Sequence, residues 1–345
     1  MAIPAYPLHQ LGKNGLSVPS IGFGLMGTTG VYGSASDDEE TMQLLDAAVE
    51  IGATFWDTAN MYGDNEEKVG KWFKRSGKRD SIFLATKFGI MMEGMKFVGV
   101  DSSAEYCRQQ CEKSLQKLGV QSIDLYYVHR VNPKTPIEET MRAMAELKAE
   151  GKIKHIGLCE VSSATLRRAC KIAPVTAVQM EYHPFVREIE TAAGTNLLQT
   201  CRELGVAVVC FSPLGRGLLT GSFTGREDAA TTGDIRSSWV PWFSEENLDS
   251  NVRIVNRFKQ FAEKKGCTAT QLTLAWILKQ GNDVFPIPGT TKVKYLKENM
   301  EAARITLTDG DEAEIRNFLE ENPLAGYRQM EAAKMFAFVD TAEEA

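Results

Sequence analysis

No stretch of this chain approaches the roughly 20 consecutive apolar residues that a bilayer-crossing helix needs, so a membrane-spanning role is not expected. An excess of basic charge is missing too. Lys and Arg number 39 against 45 Asp and Glu, a net charge of −6, which argues against nucleic acid or an anionic membrane as a partner. Met1–Leu8 holds no basic region followed by an apolar stretch, so no secretory signal is read there. The seven cysteines are scattered, with no C-x-x-C pair and no histidine at metal-ligand spacing. Such a set implies no metal site and fits reduced thiols in the cytoplasm better than a disulfide framework. No Pro/Ser-rich seam divides the chain, and the expectation is one domain over 1–345 with its core at about 11–321. Nothing in the pattern decides between a monomer and a homo-oligomer.

What the chain has is alternation. Hydrophobic residues make up 43% of it, enough for a sizeable core, and short β-forming runs recur. They are Ser20–Phe23, Thr54–Trp56, Ile82–Ala85, Ile123–Val128, His155–Leu158, Ala177–Met180, Ala207–Phe211 and Phe285–Ile287. Between most of them lie segments of helical period with cap signals. Ser36-x-x-Glu39 and Ser102-x-x-Glu105 read as capping boxes, and Thr135-x-x-Glu138 carries Pro136 at the first helical position. Asn196–Leu204 and Val252–Lys265 continue the series, each closed by a glycine. Eight strands joined by helices imply parallel pairing, hence a (β/α)8 TIM barrel or a doubly wound open sheet. Leu8–Val18, with its Gly12-Lys13-Asn14-Gly15 turn, reads as an N-terminal hairpin capping the barrel floor. A helical extension is expected at the C-terminus.

Gly22-Phe-Gly24-Leu-Met-Gly27 matches the letters of a dinucleotide fingerprint, and Asp57 ends the next strand. The physics of that motif places its third glycine in a helix whose N-terminus faces a pyrophosphate. Here a second loop follows instead, and the capped helix begins only at Ser36. A loop at the barrel mouth is the better reading.

Three polar residues stand at the ends of three successive apolar strands: Asp57 after Thr54-Phe55-Trp56, Lys87 after Phe83–Thr86, and His129 after Leu125–Val128. In a barrel those ends converge on the face where active sites are built. Tyr62, five residues beyond Asp57, can turn back over the same mouth. A lone strand-end histidine or lysine is ordinarily packing or solvated surface; the four together are hard to explain that way. A free tyrosine, with a pKa of about 10, is a poor acid near neutrality, and the Lys87 ammonium would lower that value. Asp57 would hold Lys87, and His129 would donate to a carbonyl oxygen.

The stretches Trp56–Gly63, Ala85–Gly89 and Tyr127–His129 resemble the aldo-keto reductase family. The resemblance runs from about Leu11 to about Ala303. Gly157–Ser162 and Ser212–Gly221 look closest to the branch containing pyridoxal-reductase-like enzymes of fungi and plants. The resemblance implies an NADPH-dependent reduction of a carbonyl compound on the barrel. Tyr62 would be the proton donor, Lys87 and Asp57 its activating pair, and His129 the carbonyl orienter. It leaves a second role open, that of an NADP-binding regulatory subunit like those of potassium channels. A third reading, a glycosidase-type barrel using Asp57 and Glu181, leaves Lys87 unexplained.

For the cofactor, Phe211 is placed to stack on a nicotinamide and Gln179 to reach its amide. The turn Ser212-Pro213-Leu214-Gly215-Arg216-Gly217 would bring N–H groups and Arg216 towards a pyrophosphate. Gly289-Thr290-Thr291-Lys292 enters a helix with Lys294 beyond it, and lysines at a helix start suggest a phosphate partner, here the 2′-phosphate. Glu298 and Asn299 resemble the family's adenine-binding pair. Three departures stand out: Cys159-Glu160 replaces a common Ser-Asn, Phe211 replaces a stacking Tyr, and Tyr295 occupies a commonly basic position. Met26, Tyr32, Met91, Met92, His183 and the segment Gly221–Asn247, with Trp239, Trp242 and Phe243, are equally candidate substrate walls and filling beneath a long loop.

Overall fold

The computed structural model describes residues 6–30, 36–94, 96–223 and 236–344. Leu8–Gln10 (β1) and Ser17–Pro19 (β2) pair antiparallel across the expected turn. Eight parallel strands follow in one sheet: Phe23–Gly24 (β3), Phe55–Asp57 (β4), Phe83–Phe88 (β5), Ile123–Val128 (β8), Ile153–Cys159 (β9), Val175–Glu181 (β10), Ala207–Phe211 (β11) and Val284–Pro286 (β12). Between β5 and β8 stands a second hairpin, Ile90–Glu93 (β6) with Lys96–Val100 (β7), which the sequence reading did not find.

The edge strands β3 and β12 meet and close the barrel. Gly22 N donates to Pro286 O at 2.9 Å, Gly24 N donates to Pro288 O at 3.2 Å, and Gly24 bridges Gly289. This closure accounts for two glycines of the misleading motif. A Cβ on Gly22 would lie 2.8 Å from Ile287 Cγ2 and 2.9 Å from the Phe55 ring, and one on Gly24 would lie 2.7 Å from the Ile287 carbonyl. They let two strands approach; no phosphate is needed to explain them.

Strand periodicity divides the core into two shells. Phe55, Phe83, Ala85, Leu125, Tyr127, Cys159, Ala177, Ala207, Val209, Phe285 and Ile287 fill the barrel interior, and Leu11 and Val18 of the first hairpin plug its floor. Their neighbours Trp56, Leu84, Phe88, Tyr126, Val128, Val178 and Met180 point outward and pack beneath the helices. Those helices include Asp38–Ile51, Asn65–Ser76, Ala104–Leu118, Ile137–Ala149, Ser163–Ile172 and Leu197–Leu204, followed by Leu248–Lys265 and Ala269–Lys279.

The cap positions differ from expectation by about one residue, for tertiary reasons. Asp37, not Ser36, forms the first capping box, with Glu40; Ser36 gives its N–H to Thr28 and its carbonyl to Lys68. Ser103, not Ser102, caps the helix Ala104–Leu118, because the Ser102 hydroxyl accepts from Asn132 N and its carbonyl from Thr140. Pro136 is itself the cap residue of Ile137–Ala149, without a side-chain cap bond, and the first N–H of that helix donates to Thr341. Thr341 belongs to the C-terminal extension. That extension is helical over Asp309–Glu321 and then mostly non-helical, as a strap whose Val339 pairs beside Val161.

Candidate active site

One register builds the site. The interior row Phe55 continues to Asp57, Phe83 and Ala85 continue to Lys87, and Leu125 and Tyr127 continue to His129. The same alternation carries Ala177 on to Gln179 and Glu181, and Ala207 and Val209 on to Phe211. Each strand therefore delivers its polar residue to the carboxyl-end mouth because its apolar residues face inward.

Lys87 is fully buried and Asp57 is 2% exposed. The Lys87 ammonium donates to Asp57 Oδ1 in a short contact and to Thr58 O at 2.8 Å, while Gln179 Nε2 donates to Asp57 Oδ2 at 2.8 Å. Burial works to strip the ammonium of its proton. Chiefly the Asp57 carboxylate outweighs it and raises the Lys87 pKa, so Lys87 stays a cation. Tyr62 is held over this pair by its loop: Asn60 N donates to Lys87 O at 3.1 Å, and Tyr62 N donates to Ala59 O at 3.1 Å. Its ring centre lies 5.2 Å from Lys87 Nζ and 5.9 Å from the His129 ring, edge to face.

Two charge effects compete at Tyr62. Desolvation raises its pKa, Lys87 lowers it, and desolvation wins in the cofactor-free protein. The expected net lowering is therefore corrected: Lys87 limits a rise that burial would otherwise make larger. His129 is held well below its ordinary pKa, first by burial and then by Lys87 and Arg130, so the imidazole is neutral. Its Nδ1 is buried without a hydrogen-bond partner. A neutral ring with its proton on Nε2 leaves an acceptor unpaired there, the cheaper loss, and frees an N–H for a substrate oxygen. Cys159 lines the interior nearby, its thiol pushed up to about 12 by burial, and is no nucleophile.

Of the residues assigned to a cofactor, Phe211 is half-buried at the mouth. Ser212–Gly217 turns tightly there, with Ser212, Gly215, Arg216 and Gly217 all at positive φ. Gly215 N and Gly217 N are already donated to Ser212 O and Leu214 O. Arg216 forks onto Glu181 at 2.6 and 3.0 Å. Across the closed seam, Gly289, Thr290, Thr291 and Lys292 lead into the helix Val293–Glu301, whose first turn holds no acid. Lys292 and Lys294 are exposed and form no ion pair among the described residues. That donor set suits a phosphate. Glu298 accepts from Thr268 at 2.6 Å, and Asn299 is buried beside it. An aromatic face at one end and unpaired lysines at the other fit a nicotinamide dinucleotide.

Other assignments separate from the mouth. Trp242 and Phe243 are buried and pack with Val186, Leu218 and Phe223 in a satellite core, so they are filling; His183 is buried between Glu181 and Trp242. Trp239 is 56% exposed. Met26, Met91 and Met92 are half-buried, while Tyr32 lies outside the described residues, as does 224–235 within the long segment. The glycosidase pair also fails. Arg216, His183 and Arg328 hold the Glu181 carboxyl well below the carboxylate range against the pull of burial, so Glu181 cannot be the proton-donating acid such hydrolysis needs. Burial raises the Asp57 pKa, but both Asp57 oxygens are taken up by Lys87 and Gln179, so it presents no acid to a substrate.

Sequence reading missed Arg328. Its guanidinium is 2% exposed and bridges Glu160, at 3.3 Å, to Glu181, at 2.9 Å. Glu160, at a positive φ of 52°, thus faces an arginine of the C-terminal strap. No local signal could pair residues so far apart in the chain. It also passed over Arg130, although Arg130 follows His129 directly.

Residues 20–320 match the model of the aldo/keto reductase family. The chain is 46% identical over 335 residues to aldo-keto reductase str7 of Strobilurus tenacellus, covering 97% of each. It is 41% identical to aldo-keto reductase yakc [NADP(+)] of Schizosaccharomyces pombe, covering 97% of this chain and 98% of that one. Among solved structures, a glycerol dehydrogenase from Gluconobacter oxydans superposes with a TM-score of 0.81 at 26% identity, over 91% of this chain and 95% of that one.

Proposed function

Since this chain belongs to the aldo/keto reductase family, we propose that it reduces aldehydes or ketones to alcohols with NADPH, Tyr62 donating the proton. The observation that carries this reading is a phenol beside a buried, carboxylate-held ammonium at the barrel mouth. When bound, the cofactor supplies hydride to the carbonyl carbon. This chain's residues manage the oxygen. As that oxygen gains negative charge, the Tyr62 hydroxyl delivers a proton to it, and Lys87 stabilises the phenolate left behind. Asp57, backed by Gln179, fixes the ammonium. His129 donates from Nε2 to the same oxygen and orients the carbonyl.

Titrating the purified protein with NADPH, and separately with NADH, tests the reading directly. Tight NADPH and weak NADH binding supports it and directs attention to aldehydes, pyridoxal among them; binding of neither overturns it. Lys292→Ala is expected to weaken NADPH binding about ten-fold or more, a change of about 1.4 kcal/mol or more, with NADH affected far less. Equal losses for the two cofactors would remove Lys292 from the 2′-phosphate.

The pH dependence follows from the directions of the shifts. Reduction needs Tyr62 protonated, and a raised pKa keeps it so through neutral pH. Lys87 is raised and stays charged, and His129 is depressed and stays neutral. The maximal rate of reduction is therefore expected to be flat between about pH 6 and pH 9 and to fall only in stronger alkali. An inflection near the ordinary histidine value would contradict the assignment of a neutral His129.

A further inference from the structure

The strand β8 ends at Val128, so the residue after His129 is released from the alternation and lies at the rim of the mouth. That residue is Arg130. It is half-buried, one guanidinium nitrogen donates to the His129 carbonyl at 2.7 Å, and the guanidinium carbon lies 5.8 Å from the centre of the Phe211 ring. Among the described residues no carboxylate pairs with it. Its neighbours at the mouth differ: Arg216 and Arg328 are each locked to Glu181.

A partly desolvated cation with no counter-charge loses hydration and recovers little of it. It makes physical sense where an anion arrives from outside. The phosphates of a dinucleotide do not supply that anion on the present reading. Their assigned partners are the Thr290–Lys292 turn and what the Ser212–Gly217 turn keeps free once Gly215 N, Gly217 N and Arg216 are engaged within the protein, whereas Arg130 stands beside Phe211 and His129, at the end assigned to the nicotinamide. The remaining source is the substrate. One nitrogen of the fork is used by His129, and the rest of its edge is free to meet both oxygens of a carboxylate.

We propose that Arg130 anchors a carboxylate carried by the substrate, so that this enzyme prefers carbonyl compounds bearing an acid group over neutral ones of the same shape. The proposal rests on the reductase reading and deepens it. Arg130 binds the part of the substrate that does not react, while Tyr62 and His129 act on the carbonyl oxygen.

The test compares 4-carboxybenzaldehyde with 4-nitrobenzaldehyde, matched in ring and in the shape of the para group but not in charge; because the nitro group activates its carbonyl more, the comparison is made on KM and, for each aldehyde, between native enzyme and variant. In the native enzyme the carboxylate substrate is expected to have a KM at least five-fold lower, and that advantage should shrink as salt is raised, since the pair is partly exposed. Arg130→Met should raise KM for 4-carboxybenzaldehyde ten-fold or more while kcat/KM for 4-nitrobenzaldehyde stays within three-fold. Arg130→Lys, which keeps the charge but loses the fork, should restore part of the difference. A binding readout stands apart from turnover: calorimetric titration with 4-carboxybenzyl alcohol in the presence of NADPH, a pair that cannot exchange hydride, should lose affinity in Arg130→Met, and titration with benzyl alcohol should not. Equal losses for both aldehydes, or no change in either, overturn the proposal and leave Arg130 as an electrostatic neighbour of Tyr62. If the native protein binds NADPH yet shows no preference between the two aldehydes, Arg130 is not a carboxylate anchor. If it reduces neither aldehyde and binds no NADPH, the underlying reductase reading fails instead.

Discussion

Tyr62→Phe should lower the rate of carbonyl reduction by about 10²–10⁴-fold, the usual worth of a positioned general acid, while NADPH affinity stays within about two-fold. The substitution removes one oxygen. Its ring would keep its edge-to-face contact with His129 and its place beside Lys87, so neither the loop nor the cofactor face is disturbed. What disappears is the proton. With no replacement donor, the alkoxide formed by hydride arrival has only the neutral His129 Nε2–H to lean on, and that group is a hydrogen-bond donor of high intrinsic pKa. Because Lys87 is fully enclosed, it cannot reach out to substitute. Single-turnover measurement of cofactor oxidation separates chemistry from release, and fluorescence titration checks binding. Near-native turnover in this variant would falsify the role given to Tyr62.

Lys87→Met should damage stability and rate together. The ammonium satisfies Asp57 Oδ1 and the Thr58 carbonyl, and without it Asp57 keeps only Gln179. Leaving one member of a buried ion pair alone costs about 3–5 kcal/mol, which is visible as a large drop in the denaturant midpoint. The Tyr62 phenolate would lose its counter-charge as well, so kcat should fall by about 10²-fold or more. The double variant Asp57→Leu with Lys87→Met distinguishes the two effects. Removing both charges should return most of the stability, since an apolar pair of similar volume packs without a desolvation cost, yet activity should stay lost. A double variant as unstable as the single one would mean that packing, not charge, explains the single variant. Recovery of activity in the double variant would sink the catalytic role of the pair.

Much of this site could be read from local pattern because strand periodicity is a one-dimensional property. Once Phe55, Phe83 with Ala85, and Leu125 with Tyr127 are taken as inward-facing, the next inward positions are Asp57, Lys87 and His129. The hairpin at the floor was equally legible, since a Gly-Lys-Asn-Gly turn between short apolar pieces specifies it. Cap residues were legible only to within a residue. Ser36 and Asp37 both satisfy the pattern with a glutamate three positions on, and the choice fell to Asp37 because Thr28 and Lys68 had already engaged the Ser36 backbone.

By itself, then, the sequence determined the alternation of strands and helices, the inward register, and so the polar groups delivered to the mouth. Tertiary structure decided the rest. It turned a glycine fingerprint into a seam between β3 and β12, where backbones meet too closely for a Cβ. It brought Arg328 from the C-terminal strap onto Glu160 and Glu181, and it left Arg130, beside Phe211, without a carboxylate partner among the described residues. It also set the balance at Tyr62, where desolvation outweighs the nearby ammonium. The physical reason is common to all of these. Side-chain direction along a strand depends on neighbours in the chain, whereas closeness, counter-charge and burial depend on residues that only the closed barrel brings together.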